Sequence, residues 1–340
     1  MKPAGRFAAW AGRNELCGNG LCGKQRVRGC AVIGLILDST VRLSDADREE
    51  LGRAFAGRVH SVDLTVTVDE AEFQDSQLDP SELCSRMRGG STVRTSMPAV
   101  EDFAAAIREQ LDGGADEVII ITLSAEMSGT YRAAAAAAAQ VAQERGLEAD
   151  GGGSEGTVGI RVIDSQTASA GSVGIAHWAA ANAHLGLTAC GDACEKAAAQ
   201  FSATYFVPET LEYLHRGGRI GGAAALFGRA LKIVPVLQVH EGRVEPAARV
   251  RTTAKAARRA VDEATAAVAE MRTREGAENL RAQATVLHPE GTADEGSALF
   301  RAILQAARAQ WEHVDTAVLS TVVTAHVGPG SAGIEVRLVP

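Results

Sequence analysis

Aromatic residues make up only 4% of this 340-residue chain. Its core must therefore be built mainly from aliphatic side chains and alanine. No apolar run approaches the roughly 20 residues that a membrane-spanning helix requires. The first thirty residues lack the continuous apolar stretch of a secretory signal, so a cytoplasmic location is the expectation. An excess of positive charge is also lacking: 34 Lys and Arg against 42 Asp and Glu give a formal net charge of −8, with acids spread along the chain. A broad nucleic-acid-binding face is excluded on that ground, although a local basic pocket is not. The phosphate loop G-x-x-x-x-G-K-[ST], the nucleophile elbow G-x-S-x-G, HExxH and EF-hand spacings are all missing. The six cysteines contain no CxxC pair. Cys17, Cys22 and Cys30 lie in a glycine-rich leader without a nearby histidine, which favours incidental cysteines over a metal site. Residues 1–30 are expected to be a disordered extension. Cys190 and Cys194 are one helical turn apart, either as ordinary helix positions or as a vicinal thiol pair.

What is present is an ordinary globular composition, 46% hydrophobic and 22% charged, on a chain long enough for two domains. The run 30–40, "CAVIGLILDST", is apolar until its polar end and predicts a buried parallel strand. A helix over 44–58 follows, capped by Ser44. Strands are predicted at 61–68, 118–124 and 158–166, and helices at 79–90, 99–114, 130–145 and 167–186. That alternation means a doubly wound parallel α/β domain over 31–190. Residues 147–157 read as a flexible loop. The second half, 191–340, mixes strands and helices as an α+β domain. Its signals are a hairpin at Glu241-Gly242, a helix over 252–271, and strands at 282–289, 318–323 and 334–339.

Polar residues crowd the ends of the predicted strands, where open α/β sheets bind ligands. They are Asp38-Ser39-Thr40, Ser124 to Thr130, and Asp164 to Thr167, with Thr95-Ser96 before a helix. Four such clusters on one half of the chain point to a shared anion-binding crevice, with free backbone N–H groups at the turn 124–130. "GPGSAG" at 328–333 matches a dinucleotide fingerprint only literally. Too few residues follow it for a βαβ unit, and a turn between two strands is the better reading. His326 just before it is equally readable as structural or as a site residue. Arg216 and Arg219 sit among four glycines in "LHRGGRIGG", either to pair with a carboxylate or phosphate or as a helix end facing solvent.

Taken together, "LILDST", "RTSMPAVEDF", "IIITLSAEMSGTYRAAAAA", "RVIDSQTASAGSVG", "ETLEYLHRGGRI", "LKIVPVLQVHEGRV", "ARVRTTAKA" and "AHVGPGSAG", in that order, resemble the DegV family over about residues 31–340. The resemblance implies two domains with a fatty acid buried between them. It also implies a non-catalytic role without a cofactor: the chain presents the acyl carboxylate to a separate kinase subunit, which makes the acyl phosphate. Thr95 and Ser128 would hold the carboxylate, Ser96, Gly129 and Thr130 would shape the pocket, and Arg219 and His326 would be the basic residues beside it. The chain departs from the family pattern at Leu37, Met97 and Val234. The alternatives are a stand-alone enzyme on a small anionic metabolite, with Arg219 and His326 as electrophile and acid/base, or a lipid sensor.

Overall fold

The computed structural model describes residues 31–150, 158–226, 233–290 and 297–340. The expectations for residues 1–30, including their three cysteines, lie outside the described residues. In chain order β1 (Ile33–Asp38) leads to α1 (Asp45–Ala54), β2 (Val59–Val62), β3 (Thr65–Val68), β4 (Ala71–Gln74), α2 (Pro80–Arg88), β5 (Val93–Ser96) and α3 (Val100–Asp112). β6 (Glu117–Thr122), α4 (Thr130–Arg145), β7 (Glu148–Asp150), β8 (Val158–Asp164), α5 (Ala170–Asn182) and α6 (Leu187–Gln200) follow. The remainder is β9 (Ser202–Val207), α7 (Glu212–Arg216), β10 (Val234–His240), β11 (Arg243–Val250), α8 (Thr253–Met271), β12 (Arg281–His288), α9 (Ala298–Arg308), β13 (Asp315–Val318), α10 (Thr321–Val327) and β14 (Ala332–Val339). No helix among the described residues is long and apolar enough to cross a membrane.

The first sheet is parallel throughout, in the order β2-β1-β6-β8-β7. β1 is buried at all six positions, as its unbroken apolar run requires of a central strand covered on both faces. One face carries α3 and α4, packed through Phe103, Ile107 and the alanines 133, 134, 137 and 138. Alanine at these positions lets α4 lie close to the sheet. The other face carries α1, α5 and α6. A second sheet, β11-β10-β9-β14-β12-β13, lies beyond, and its Val236, Ile334 and Val336 share one apolar core with Leu35, Ile119 and Ile175. The expected α/β class with an additional mixed region is what forms.

Because β2 and β6 flank β1 on opposite sides, the chain leaves β1 in one direction and returns in the other. The crevice outside the carboxyl ends of β1 and β6 is therefore the topological switch point, the ligand position of such sheets.

Several local expectations hold. Ser44 forms a reciprocal capping box with Asp47, although α1 ends at Ala54, short of the predicted 58. Glu241 and Gly242 take φ of 48° and 76°, closing the β10–β11 hairpin with the mirror-image turn its twist favours. Others are corrected. The strand predicted over 61–68 is two strands in different sheets. β2 ends at Val62, and β3 begins a separate antiparallel sheet, β4-β3-β5. Thr95 and Ser96 lie on β5 of that small sheet. The predicted loop over 147–157 starts with the short strand β7, and its remainder lies outside the described residues. The largest correction concerns 318–323, where a strand was expected from the β-branched run. β13 stops at Val318, and Ser320 accepts a hydrogen bond from the Val323 N–H to cap the helix α10. His326 is thus helical, and "GPGSAG" joins a helix to β14.

Candidate polar-headed ligand pocket

β5 pairs with β3 and places Thr95 opposite Val66. α10 packs over these strands, and its His326 Nε2 lies 2.9 Å from the Thr95 hydroxyl oxygen. A buried carboxylate fixes this approach. Asp75, 1% exposed, accepts from the Thr321 hydroxyl at 2.6 Å, the Val322 N–H at 3.1 Å and the Ser39 hydroxyl at 2.7 Å. The first turn of α10 is thereby tied to the end of β1.

Burial, with the nearby Arg219 cation adding to it, holds the His326 pKa down at about 4, so the ring is neutral near pH 7. A neutral imidazole has one N–H. Nδ1 is buried without a partner among the described residues. An orphaned N–H costs more than an orphaned lone pair, because the oxygen- or nitrogen-acceptor deficit is the better tolerated of the two. The proton therefore belongs on Nε2, which donates to Thr95. The Thr95 hydroxyl is then left with its own proton to donate to a ligand.

The turn after β6 brings Ser128 to the same place. Its hydroxyl lies 2.8 Å from that of Thr130 and also accepts from the Thr130 N–H at 3.3 Å. The backbone of this turn is not the open anion cradle expected from sequence. Leu123 and Ala125 donate to the carboxylates of Asp38 and Asp164. Ser124 donates to the Thr167 carbonyl, Glu126 to the Ser124 hydroxyl, and Met127 and Ser128 to the Ser124 carbonyl. Six consecutive N–H groups are thus already engaged, and the hydroxyls and Arg219 are the side-chain groups placed to meet an anion. Asp38 itself is fully buried, with its pKa raised to about 6 by desolvation against three hydrogen bonds. Asp38 and Asp164 organise the loops; they are braces beneath the pocket.

Arg219 follows α7 on the glycine-rich turn. Its Nε donates to the Met127 carbonyl at 2.8 Å and its Nη1 to the Gly217 carbonyl at 2.6 Å. The guanidinium is pinned across the Ser128 turn. Gly217 is required at this point, because a β-carbon there would come within 2.3 Å of His326 Nδ1.

These polar groups line a cavity of about 190 Å³. The rest of its wall is mostly apolar. Leu64 and Leu123 come from the first half of the chain, while Phe206, Val239, Leu287 and Val322 come from the second. Thr95, Ser96, Ser128, Gly129, Arg219 and His326 all line it. Thr130 does not; it is fully buried behind Ser128 and orients that hydroxyl. Of the four polar clusters expected to share a crevice, two, Asp38-Ser39-Thr40 and Asp164 to Thr167, are also absent from the wall. Sequence reasoning missed Ser169, which lines the cavity with φ at 58°, a conformation strained for a residue with a side chain. Its signal was the small-residue run that follows Asp164.

Comparison with known proteins finds relatives of the whole fold. The sequence model of the family described as "Uncharacterised protein, DegV family" matches residues 32–337. A DegV domain-containing protein of Streptomyces coelicolor is 37% identical over 227 residues, covering 66% of this chain and 73% of its own. A Thermus thermophilus structure described as fatty acid binding of a DegV family protein superposes with a TM-score of 0.72. It is 32% identical and covers 90% of this chain and 99% of its own. A DegV lipid-binding protein of Thermotoga maritima superposes with a TM-score of 0.65 at 25% identity, covering 90% of this chain and 98% of its own.

Proposed function

Because the chain belongs to the DegV family, with a match spanning residues 32–337, we propose that it binds a long-chain fatty acid and presents the carboxylate to a separate kinase. The observation that carries this reading is the division of the cavity. Thr95, Ser128, Arg219 and His326 line it together, and apolar side chains form most of the rest. The relative from Thermus thermophilus is itself described as binding a fatty acid.

Energetics support the same division of labour. A sixteen-carbon tail buries about fifteen carbons at roughly 0.8 kcal/mol each, on the order of 10 kcal/mol before ordering costs. A charge-assisted hydrogen bond adds about 1.5–3 kcal/mol. The tail supplies affinity, and Thr95 and Ser128 set the direction in which the acid enters. Arg219 offsets the charge of the carboxylate, while the neutral His326 orders Thr95 as a donor.

No carboxylate lines the cavity wall to activate His326 as a general base, which supports a presenting role over catalysis by this chain alone. The kinase would join the carboxylate oxygen to the terminal phosphorus of a nucleoside triphosphate. The bond from that phosphorus to its bridging oxygen breaks, and the nucleoside diphosphate leaves.

Calorimetry with a sixteen-carbon acid and the matching alcohol tests the reading. The acid should bind at least tenfold tighter, and the purified chain with magnesium and ATP should form no acyl phosphate until a kinase is added. A chain that binds neither lipid, or that makes acyl phosphate alone, contradicts it.

A further inference from the structure

The apolar cavity has a polar neighbour. A second cavity, of about 300 Å³, shares Thr95, Arg219 and His326 with the first, so these three residues stand where the two spaces meet. Its wall adds Arg94 from β5 and Arg216 from the end of α7, with Ser91 and Tyr213 between them. Three arginines line this space, and no aspartate or glutamate does. On a chain of net charge −8, that is a local reversal of sign.

None of the three arginines is consumed by a strong pairing. Arg216 pairs with Glu212 one helical turn back and lies 5.6 Å from the Tyr213 ring. Both members of that pair are about half exposed, at 49% and 59%, so solvent screens it. Arg219 spends Nε and Nη1 on backbone carbonyls, which fixes its plane without neutralising it. Arg94 is exposed beside Thr95. Arginine forks match tetrahedral oxyanions, offering paired N–H donors to paired oxygens. One carboxylate, already met by Thr95 and Ser128, does not need three of them.

We propose that the arginine-lined cavity is a phosphate-binding subsite, which holds a phosphoryl group against the carboxylate end of the bound acyl chain. This rests on the fatty-acid reading above and adds to it a place for the second reactant group. The phosphate has two sources. It is either the phosphate of the acyl phosphate after transfer or the terminal phosphate of the nucleoside triphosphate before it.

The test uses the full chain and three variants, Arg94→Gln, Arg216→Gln and the double substitution; both side chains are exposed, so the fold has no stake in them. Each is titrated with palmitic acid and with an acyl phosphonate of equal chain length, a stable likeness of the acyl phosphate. The parent should prefer the phosphonate. The double variant should lose tenfold or more of its phosphonate affinity while its palmitate affinity stays within about threefold. In a second arm, inorganic phosphate and ATP are titrated into the palmitate-loaded chain. Binding that the double variant loses assigns the subsite to the donor; no binding, together with an arginine-dependent phosphonate preference, assigns it to the product. Normal palmitate binding with phosphonate affinity indifferent to both arginines overturns the subsite and leaves the fatty-acid reading standing. Failure to bind palmitate overturns the fatty-acid reading, and the subsite with it.

Discussion

The Thr95 hydroxyl and His326 Nε2 lie 2.9 Å apart, although 231 residues separate them in the chain. The contact joins an edge strand of the small sheet to a seven-residue helix near the end of the chain, and it makes Thr95 a donor. Replacing Thr95 or Ser128 by alanine removes one charge-assisted hydrogen bond to the ligand carboxylate. Each substitution should weaken fatty acid binding by about 1.5–3 kcal/mol, roughly tenfold to a hundredfold. Calorimetry checks the loss. Binding of the matching alcohol should change far less.

Gly217 offers a test of His326 that leaves the histidine in place. Its φ is −74°, which alanine adopts without strain. The added β-carbon would nevertheless meet His326 Nδ1 at 2.3 Å, so the ring must shift away from Thr95. Gly217→Ala should lower fatty acid affinity about as much as His326→Ala does, as read from paired titrations. Unchanged affinity in Gly217→Ala would show that the ring position does not matter.

His326 also predicts a pH dependence of stability. Its folded pKa is about 4, against an ordinary value of 6.5. Between these values the unfolded chain binds the proton and the folded chain does not. The contribution is therefore fully present above about pH 6.5, falls as the pH drops through that window, and is gone below about pH 4. Asp38, with its folded pKa raised to about 6, works in the opposite direction over pH 4 to 6. The clean comparison is thus the parent against His326→Gln by thermal unfolding from pH 7.5 to 5. The parent should lose more of its melting temperature than the variant over this interval.

Buried thiols give a fourth expectation. Cys84, Cys190 and Cys194 are all free and buried. Burial, together with Glu290, pushes the Cys84 thiol up to about 12. The Cys190 hydrogen bond and burial hold Cys194 well above its ordinary value. The Cys190 and Cys194 thiols point to the carbonyls of Ala179 and Ile175, one turn apart on α5. They serve as packing positions between α5 and α6. Peptide mapping after iodoacetamide treatment of the native chain should find these three cysteines unmodified, and all three modified after denaturation.

Much of the first sheet was legible because a parallel strand buried on both faces writes an unmistakable apolar run, as Val118 to Ile121 does. The short motifs also singled out Thr95, Ser128, Arg219 and His326, which the fold brings to the wall of one cavity, since small hydroxyls and glycine-flanked arginines stand out from an alanine-rich background. Their company was not legible. Val318 to Val323 carries the β-branched residues of a strand, and the cap at Ser320 with the Asp75 carboxylate turns it into a helix. Asp75 is thirty-seven residues from Asp38 and belongs to a hairpin that alternation alone did not reveal. The turn 124–130 was read as an open N–H cradle. Its donors are in fact taken by Asp164, by the Thr167 carbonyl and by Ser124 of the turn itself; the first two contacts depend on a neighbouring strand end and leave no local trace. The apolar wall is likewise assembled from distant segments, including Leu64, Phe206 and Val322.

Native mass spectrometry of the purified full chain, followed by solvent extraction and fatty acid analysis, tests the central claim most directly. The account predicts one long-chain fatty acid per chain, with occupancy reduced or lost in the Thr95→Ala/Ser128→Ala double variant. An empty chain that also takes up no added fatty acid would contradict it.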